Sequence, residues 1–253
     1  MSGKVIREDY CVWLERYNWL RKRYYENTYN RKYAPYNISV YRQMLTRIEL
    51  NSEASWRPFF EHTLNSHTNP YVYVRHDIDT LECLESVPRL IEVDEQFSII
   101  PGVFFLVNEE TYSLKACRKI ATDLISKGFV VGLHSTCYLS DDYLIAFDNE
   151  IKKFNSVLGF RPHTFNVHGY GNYRLDARLK FYSDITTRYR EFGFDYSDCC
   201  TAMREYKYII EDCHWCNKMS ARFIKDDFMF PEKYVLSGGN LVLTHPCYWG
   251  AGE

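Results

Sequence analysis

The sequence lacks any apolar run long enough to cross a bilayer, which takes about 20 residues in a helix. Its start also lacks the apolar core of a signal peptide, because Lys4, Arg7, Glu8 and Asp9 interrupt it. We therefore expect a cytoplasmic protein with no membrane span.

An excess of charge of one sign is also missing. The 31 Lys and Arg residues nearly balance the 33 Asp and Glu residues, and the net charge is -2. The basic cluster at residues 19–25 is diluted by acidic neighbours and is typical of a solvated helix face. Without a basic stripe to follow a phosphate backbone, we expect no nucleic-acid partner.

The nine cysteines lack regular spacing. An odd number without a secretion signal indicates reduced thiols rather than a disulfide framework. The CHWC segment at residues 213–216 has the spacing of half a zinc ribbon, but it lacks a matching second pair. Because a structural zinc needs four ligands, we interpret these cysteines as buried thiols around Trp215.

The apolar pattern changes near residue 70. Before it, apolar residues recur at three- and four-residue intervals over residues 10–24, and residues 37–46 and 56–64 are two further helical segments. An alternating β pattern is absent there. The sequence therefore predicts an N-terminal helical extension over residues 1–69, packed on a main domain over residues 70–253.

From Tyr71 onward, short apolar runs alternate with helical periods, three of which end at a glycine. Such alternation implies parallel pairing, because each crossover between parallel strands needs a dozen or more residues. The pattern predicts an α/β fold, a distorted or incomplete β/α barrel of about seven parallel strands. The predicted strands are residues 71–74, 103–107, 130–133, 164–167, 194–196, 208–210 and 241–243.

Side chains that bind metals or move protons follow several of these strands. The carboxyl ends of parallel strands meet at one face of a sheet or barrel, where active sites form. Carboxylates and imidazoles gathered in this way indicate a divalent-metal hydrolase. The stretches are RHDID (75–79), GLHS (132–135), NVHGYGN (166–172), DYSD (195–198), CHWC (213–216) and LTHP (243–246).

Asp77 and Asp79 would face the same way at the end of the first strand, because side chains alternate along a strand. Two close carboxylates repel each other unless a cation relieves the repulsion. Alternatively, one of them caps the following helix and the other is a solvated turn residue. His134, His168 and His245 stand at later strand ends, and their recurrence favours a site for Zn²⁺ or another divalent metal.

The order of these motifs resembles that of a known family. RHDID, GVFFLVN (102–108), GLHS, NVHG, GFDYSD and LTHP follow one another as in the polysaccharide-deacetylase-like proteins, a carbohydrate esterase group that removes acyl groups from amino sugars. The resemblance runs from about residue 71 to residue 250. The N-terminal part of the chain lies outside it.

The resemblance implies a role for each of four residues. Asp77 matches the family's catalytic base, and Asp79 matches its first metal ligand. His134 matches a metal-binding histidine, and His245 matches the general acid at the last strand. The implied cofactor is Zn²⁺ or another divalent metal.

Two positions depart from the family's pattern. A second metal histidine would fall at Tyr138, and divergent members with a histidine–glycine pair make His168 the natural replacement, ahead of Cys137. The arginine that orients the base would fall near Asn166. Arg161 would take that role if its loop folded back.

The implied activity is that of a metal-dependent carbohydrate N-deacetylase, which hydrolyses an amide on an N-acylated amino sugar. Because an export signal is lacking, we expect a cytoplasmic precursor of a surface polysaccharide as the substrate, carried on a nucleotide or a lipid. By position alone, the candidates for the sugar-binding wall are Tyr170, Tyr173, Tyr196 and Trp249. His76 is a candidate hydrogen-bond partner for a metal ligand.

Two other classes of function fit parts of the sequence. A glycosyltransferase also uses a DxD motif after a strand, but it does not need histidines at later strand ends, and a glycine-rich phosphate loop does not precede this DxD. A non-catalytic sugar-binding relative would explain the histidine missing at Tyr138. The joint presence of Asp77, Asp79, His134 and His245 argues against that class.

Overall fold

Six of the seven apolar runs that we predicted as strands form one parallel sheet. In the strands at residues 71–78, 102–106, 130–135, 165–167 and 239–244 the side chains are buried almost throughout, as expected of parallel strands covered on both faces. The sheet order is β5-β4-β3-β2-β7-β6, and β1 pairs with the beginning of β2. The strands are β1 (Ser55–Trp56), β2 (Tyr71–Ile78), β3 (Gly102–Leu106), β4 (Val130–Ser135), β5 (Phe165–Val167), β6 (Tyr206–Glu211) and β7 (Gly239–Thr244).

The computed structural model describes residues 37–51, 53–59, 69–108, 111–169, 174–194, 206–212 and 239–249. These residues belong to one compact unit, which begins at Asn37. The DYSD and CHWC segments and three candidates for the sugar-binding wall, Tyr170, Tyr173 and Tyr196, lie outside the described residues. In the described part, no helix has the length and apolar character to cross a membrane.

Helices connect the strands in the manner of successive β/α units. α2, α3 and α4 each lead from one strand of the series β2 to β5 to the next, which makes every pairing parallel. α2 begins after Thr80, whose Oγ1 accepts a hydrogen bond from the Cys83 backbone N at 3.2 Å. The helices described are α1 (Ile38–Asn51), α2 (Leu81–Gln96), α3 (Leu114–Ser126), α4 (Tyr143–Leu158) and α5 (Leu175–Arg188).

The part of the chain before residue 70 differs from the prediction in one respect. The helix expected over residues 37–46 is present as α1, but residues 56–59 are not helical. Trp56 instead belongs to β1, which pairs in parallel with the beginning of β2, where Ser55 is the register partner of Tyr71. Two residues are too few to produce an alternating pattern, and for this reason the sequence did not reveal the strand.

A buried polar network holds α1 to the sheet. The Tyr41 hydroxyl donates to Asp94 Oδ1 at 2.7 Å, and Asp94 Oδ2 lies 2.7 Å from Nε2 of His76. The other ring nitrogen of His76 lies 2.6 Å from Thr244 Oγ1 in β7. The network therefore connects α1, α2, β2 and β7 beneath the strand ends that carry the candidate site.

Tyr112 fixes the end of β2 from the other side. Its hydroxyl donates to the Ile78 carbonyl oxygen at 2.8 Å and accepts from the Leu106 backbone N at 2.7 Å. The peptide between Ile78 and Asp79 is thereby held against the end of β3. The backbone that carries the DxD motif is therefore held by a hydrogen bond from the buried Tyr112 side chain.

Candidate active site

The strand ends bring five of the predicted site residues together. Asp77 and Asp79 come from β2, His134 from β4, His168 follows β5, and His245 follows β7. All five side chains are buried. The alternative in which one aspartate caps a helix and the other is solvated is wrong, because the cap of α2 belongs to the residue after them.

Three donor atoms converge at the centre of this group. Asp79 Oδ1 lies 3.2 Å from His134 Nε2 and 3.3 Å from His168 Nδ1, and these two ring nitrogens are 2.9 Å apart. Ligands about 2.0–2.1 Å from a tetrahedral zinc lie about 3.3 Å from one another. The triangle therefore has the dimensions of three protein ligands around one cation.

The chemistry of these atoms also fits a divalent metal. In the described part of the chain, Asp79 Oδ1 is buried and makes no well-aligned hydrogen bond, although two imidazole nitrogens lie 3.2 and 3.3 Å from it, and a cation between these atoms would satisfy all three. Nitrogen and oxygen donors suit Zn²⁺, and a three-ligand site leaves a coordination position open. Among the described residues, one group of potential ligands has its donor atoms close together: Asp79, His134 and His168. Cys137 and Tyr138 are not part of this group.

The pKa shifts of Asp79 and His168 favour the protonation states that a metal requires. Burial would raise the pKa of Asp79, but His168 and His245 nearby outweigh it and hold the pKa well below its usual range. Burial lowers the pKa of His168, which favours the neutral imidazole that a metal requires. For His134, burial is outweighed by Asp77 and Asp79, and its pKa is raised.

Asp77 has a different environment from Asp79. Arg75 Nη2 lies 2.8 Å from Asp77 Oδ2, and Asn166 Nδ2 donates to Asp77 Oδ1 at 2.9 Å. Burial would raise the pKa of Asp77, but the charges of Arg75 and the neighbouring histidines lower it. Asp77 is therefore an ionised carboxylate held by two donors, 3.8 Å from His134 Nε2.

The residue that orients Asp77 is not the one suggested by the sequence. Arg161 lies over the Phe194 ring, 5.5 Å from its centroid, so its proposed return to the site is wrong. Arg75 occupies the position instead. The signal was present in RHDID, since residues two apart on a strand share a face.

Asn166 contacts both a candidate ligand and the candidate base. Its Oδ1 faces Nδ1 of His134, while its Nδ2 donates to Asp77. The two strands place it there, because Asn166 in β5 is the register partner of His134 in β4. The Nε2 atom of His134 is left to face the converging donors.

His245 is paired with the carboxylate of Asp212, a residue that the sequence analysis missed. Asp212 Oδ1 lies 2.6 Å from His245 Nδ1, and Asp212 Oδ2 accepts from the His245 backbone N at 2.7 Å. Burial would lower the pKa of His245, but Asp212 and Asp79 raise it to about 10. Asp212 directly follows β6, so the strand-end rule could have found it.

Two further expectations require correction. Trp249 was a candidate for the sugar-binding wall, but its side chain is 0% exposed, packs on Tyr41 and donates from Nε1 to Asp212 Oδ2 at 2.7 Å. It has no face open to a sugar. His76 was a candidate partner for a metal ligand, but its ring nitrogens contact Asp94 and Thr244 on the other face of β2.

Glu150 supports the end of β4 from α4. Its carboxylate accepts hydrogen bonds from the Ser135 hydroxyl and from the backbone N and hydroxyl of Thr136. Burial raises the pKa of Glu150 to about 7. These contacts hold the backbone immediately after His134, and the helical position of Glu150 carried no sequence signal of this role.

The fold and the site define a class of protein: an α/β half-barrel with a carboxylate–imidazole cluster at its strand ends. No family model matches the sequence, and no curated protein matches it. Some solved structures, in contrast, are similar to this chain. A polysaccharide deacetylase from Bacillus cereus is 15% identical with a TM-score of 0.44, over 71% of this chain and 80% of that chain.

Two other solved structures are similar to a comparable degree. The catalytic domain of a peptidoglycan N-acetylglucosamine deacetylase from Eubacterium rectale is 12% identical with a TM-score of 0.47, over 73% of this chain and 81% of that chain. A mutant of a CE4 family pseudoenzyme with restored enzymatic activity is 16% identical with a TM-score of 0.45, over 78% of this chain and 62% of that chain. The activities in these names belong to those proteins, and the likeness of this chain to them concerns the fold alone.

Proposed function

We propose that this protein is a metal-dependent N-deacetylase of acylated amino sugars. The observation that supports this function best is that two distinct acid–base groups flank one three-ligand site. Asp77 Oδ2 lies 3.8 Å from His134 Nε2, and His245 Nε2 lies 3.4 Å from Asp79 Oδ2. Hydrolysis of an amide needs both a base for water and an acid for the amine.

Asp79, His134 and His168 would hold the metal in this function. When bound, Zn²⁺ or another divalent cation would polarise the acyl carbonyl and lower the pKa of water. Asp77 takes the proton of the attacking water, because its low pKa keeps it ionised at neutral pH. Arg75 holds the carboxylate in place.

His245 donates a proton to the departing amine. Its raised pKa keeps the imidazole protonated at neutral pH, as a general acid must be. Asp212 orients the ring through Nδ1, which leaves Nε2 to face the site. The buried Trp249 donates from Nε1 to Asp212 Oδ2 and restrains this carboxylate from the side of the core.

The arrangement favours this function over the two alternatives. In a glycosyltransferase DxD motif, both carboxylates serve a metal bound to a nucleotide-sugar, whereas here Arg75 and Asn166 occupy both oxygens of Asp77. A non-catalytic sugar-binding relative has no use for a base and an acid. The pairing of His245 with Asp212 therefore favours a hydrolase.

The finer identity of the substrate is part of this proposal. We expect a cytoplasmic precursor of a surface polysaccharide, with the acylated amino sugar carried on a nucleotide or a lipid. Tyr170, Tyr173 and Tyr196 remain the candidates for the sugar-binding wall. Amine release from free, nucleotide-linked and lipid-linked acylated amino sugars would distinguish the carriers.

Replacing His168 with Ala is expected to abolish tight metal binding without unfolding the chain. The substitution removes one of three converging donors, and the ring lies at the strand end rather than in the apolar core. Metal content after dialysis and the far-ultraviolet circular dichroism spectrum measure the two effects. His163→Ala is the matched control, because His163 is an exposed histidine outside the group and should keep the metal. Full metal content in His168→Ala would transfer the ligand role to Cys137, Tyr138 or water.

Replacing Asp212 with Asn is expected to move the alkaline limb of the kcat–pH profile to lower pH. Asp212 is the largest of the contributions that raise the pKa of His245 to about 10. Without its charge that pKa falls, so His245 loses its proton at a lower pH and the general acid is lost earlier. The measurement is kcat against pH for wild type and variant. An unchanged alkaline limb would mean that a group other than His245 sets it.

A further inference from the structure

We propose that Asn166 is a positioning residue that sets His134 and Asp77 with one amide group, so that the metal ligand and the base are oriented together. The role builds on the proposed function, but the coupling itself belongs to the protein without metal or substrate. Asn166 is buried in β5 and lies opposite His134 in the register of β4 and β5.

The direction of the amide follows from its two contacts. Nδ2 of Asn166 donates to Asp77 Oδ1 at 2.9 Å, while Asp77 Oδ2 accepts from the Arg75 guanidinium at 2.8 Å. The Asn166 carbonyl oxygen then faces Nδ1 of His134. Because that oxygen only accepts, Nδ1 must carry a proton.

A proton on Nδ1 leaves the lone pair of a neutral His134 on Nε2. Nε2 is the atom 3.2 Å from Asp79 Oδ1 and 2.9 Å from His168 Nδ1. Asn166, with its oxygen facing Nδ1, thus selects the tautomer of His134 that can bind a metal. Partners of this kind around metal-bound histidines commonly contribute 10–100-fold to metal affinity.

An arginine could not perform both tasks. Its guanidinium has donors only, so it would hold Asp77 but offer no acceptor to Nδ1 of His134. This chain divides the work instead. Arg75 supplies a charged donor to Asp77 from β2, and Asn166 supplies a donor and an acceptor from β5.

The experiment compares Asn166→Leu with Arg75→Met. Both variants remove a donor from Asp77, but only Asn166→Leu also removes the acceptor from His134. Long-range ¹H–¹⁵N spectra of the metal-free protein, recorded above the raised pKa of His134 so that the imidazole is neutral, report its tautomer. Competition with a chelator measures Zn²⁺ affinity, and kcat is measured on the amide that the wild type hydrolyses.

We expect Asn166→Leu to lose the Nδ1-protonated tautomer and to bind Zn²⁺ about 10–100-fold more weakly. Arg75→Met should keep both properties of the wild type. In each variant kcat should fall by about 10²-fold, because a base misplaced by about 1 Å has an effect of that size.

Three results would overturn the proposal. One is a wild-type spectrum with the proton of His134 on Nε2 only, a result that requires no variant to fold. The second is Asn166→Leu, or Asn166→Ala if the leucine variant does not fold, with the wild-type tautomer and Zn²⁺ affinity. The third is an equal loss of Zn²⁺ affinity in Arg75→Met. If the wild type hydrolyses no amide, the proposed function fails, yet the spectra still decide whether Asn166 sets His134.

Discussion

Asp77→Asn is expected to keep the bound metal and to lose about 10²–10⁴-fold in kcat, the usual effect of removing a positioned base. Asp77 does not contribute one of the three converging donor atoms. An amide has the same shape and keeps one acceptor for Arg75 or Asn166, while its NH₂ group meets the other donor. The amide cannot accept a proton from water. Metal content and kcat are measured on the same preparation.

Asp79→Asn is the matched comparison for Asp77→Asn. It removes a carboxylate two residues away on the same strand end, but one whose Oδ1 faces His134 and His168. We expect this variant to lose metal and turnover together. Near-normal kcat in Asp77→Asn would assign the base to another residue, and loss of metal in Asp77→Asn would mean that Asp77 contributes to metal binding, either as a ligand or through Asn166 and His134.

His245→Ala is expected to slow amide hydrolysis by about 10²–10⁴-fold. An amine is a poor leaving group unless it is protonated as the tetrahedral intermediate collapses. Asp212 holds His245 with a proton facing the site, since Nδ1 is paired with Asp212 and Nε2 lies 3.4 Å from Asp79. Removing the ring removes that proton donor.

An ester with a phenol leaving group of low pKa separates this role from others. Such a phenolate leaves without a proton, so the ester should be hydrolysed by His245→Ala with a much smaller loss than the amide. Wild type and variant are assayed on both substrates. Equal losses would mean that His245 positions the substrate or stabilises the oxyanion, and full activity on the amide would remove it from the mechanism.

Local pattern was sufficient to predict the secondary structure around the site. Apolar runs bounded by turn residues predicted six of the described strands, and three- and four-residue spacing predicted α3 and α4. The meeting of Asp79, His134 and His168 was also predictable. It follows from parallel pairing, which brings the carboxyl ends of all strands to one edge.

The partners of the site residues were harder to predict, because they depend on which strands are neighbours. Asp212 reaches His245 only because β6 pairs with β7, and that order is not written in either segment. Asn166 reaches His134 through the register of β4 and β5. A sequence places residues along a strand but does not state the strand beside it.

The sequence by itself determined the α/β pattern, the strand ends that carry chemistry and the identity of the carboxylates and imidazoles. Only the tertiary structure decided their environments. Asp77 and Asp79 are two residues apart, yet one faces Arg75 and Asn166 and the other faces His134 and His168. Trp249 looks like a ligand-binding aromatic in the sequence and is a buried hydrogen-bond donor in the fold. The physical reason is that pKa, tautomer and exposure depend on neighbours brought from distant parts of the chain, which local periodicity does not encode.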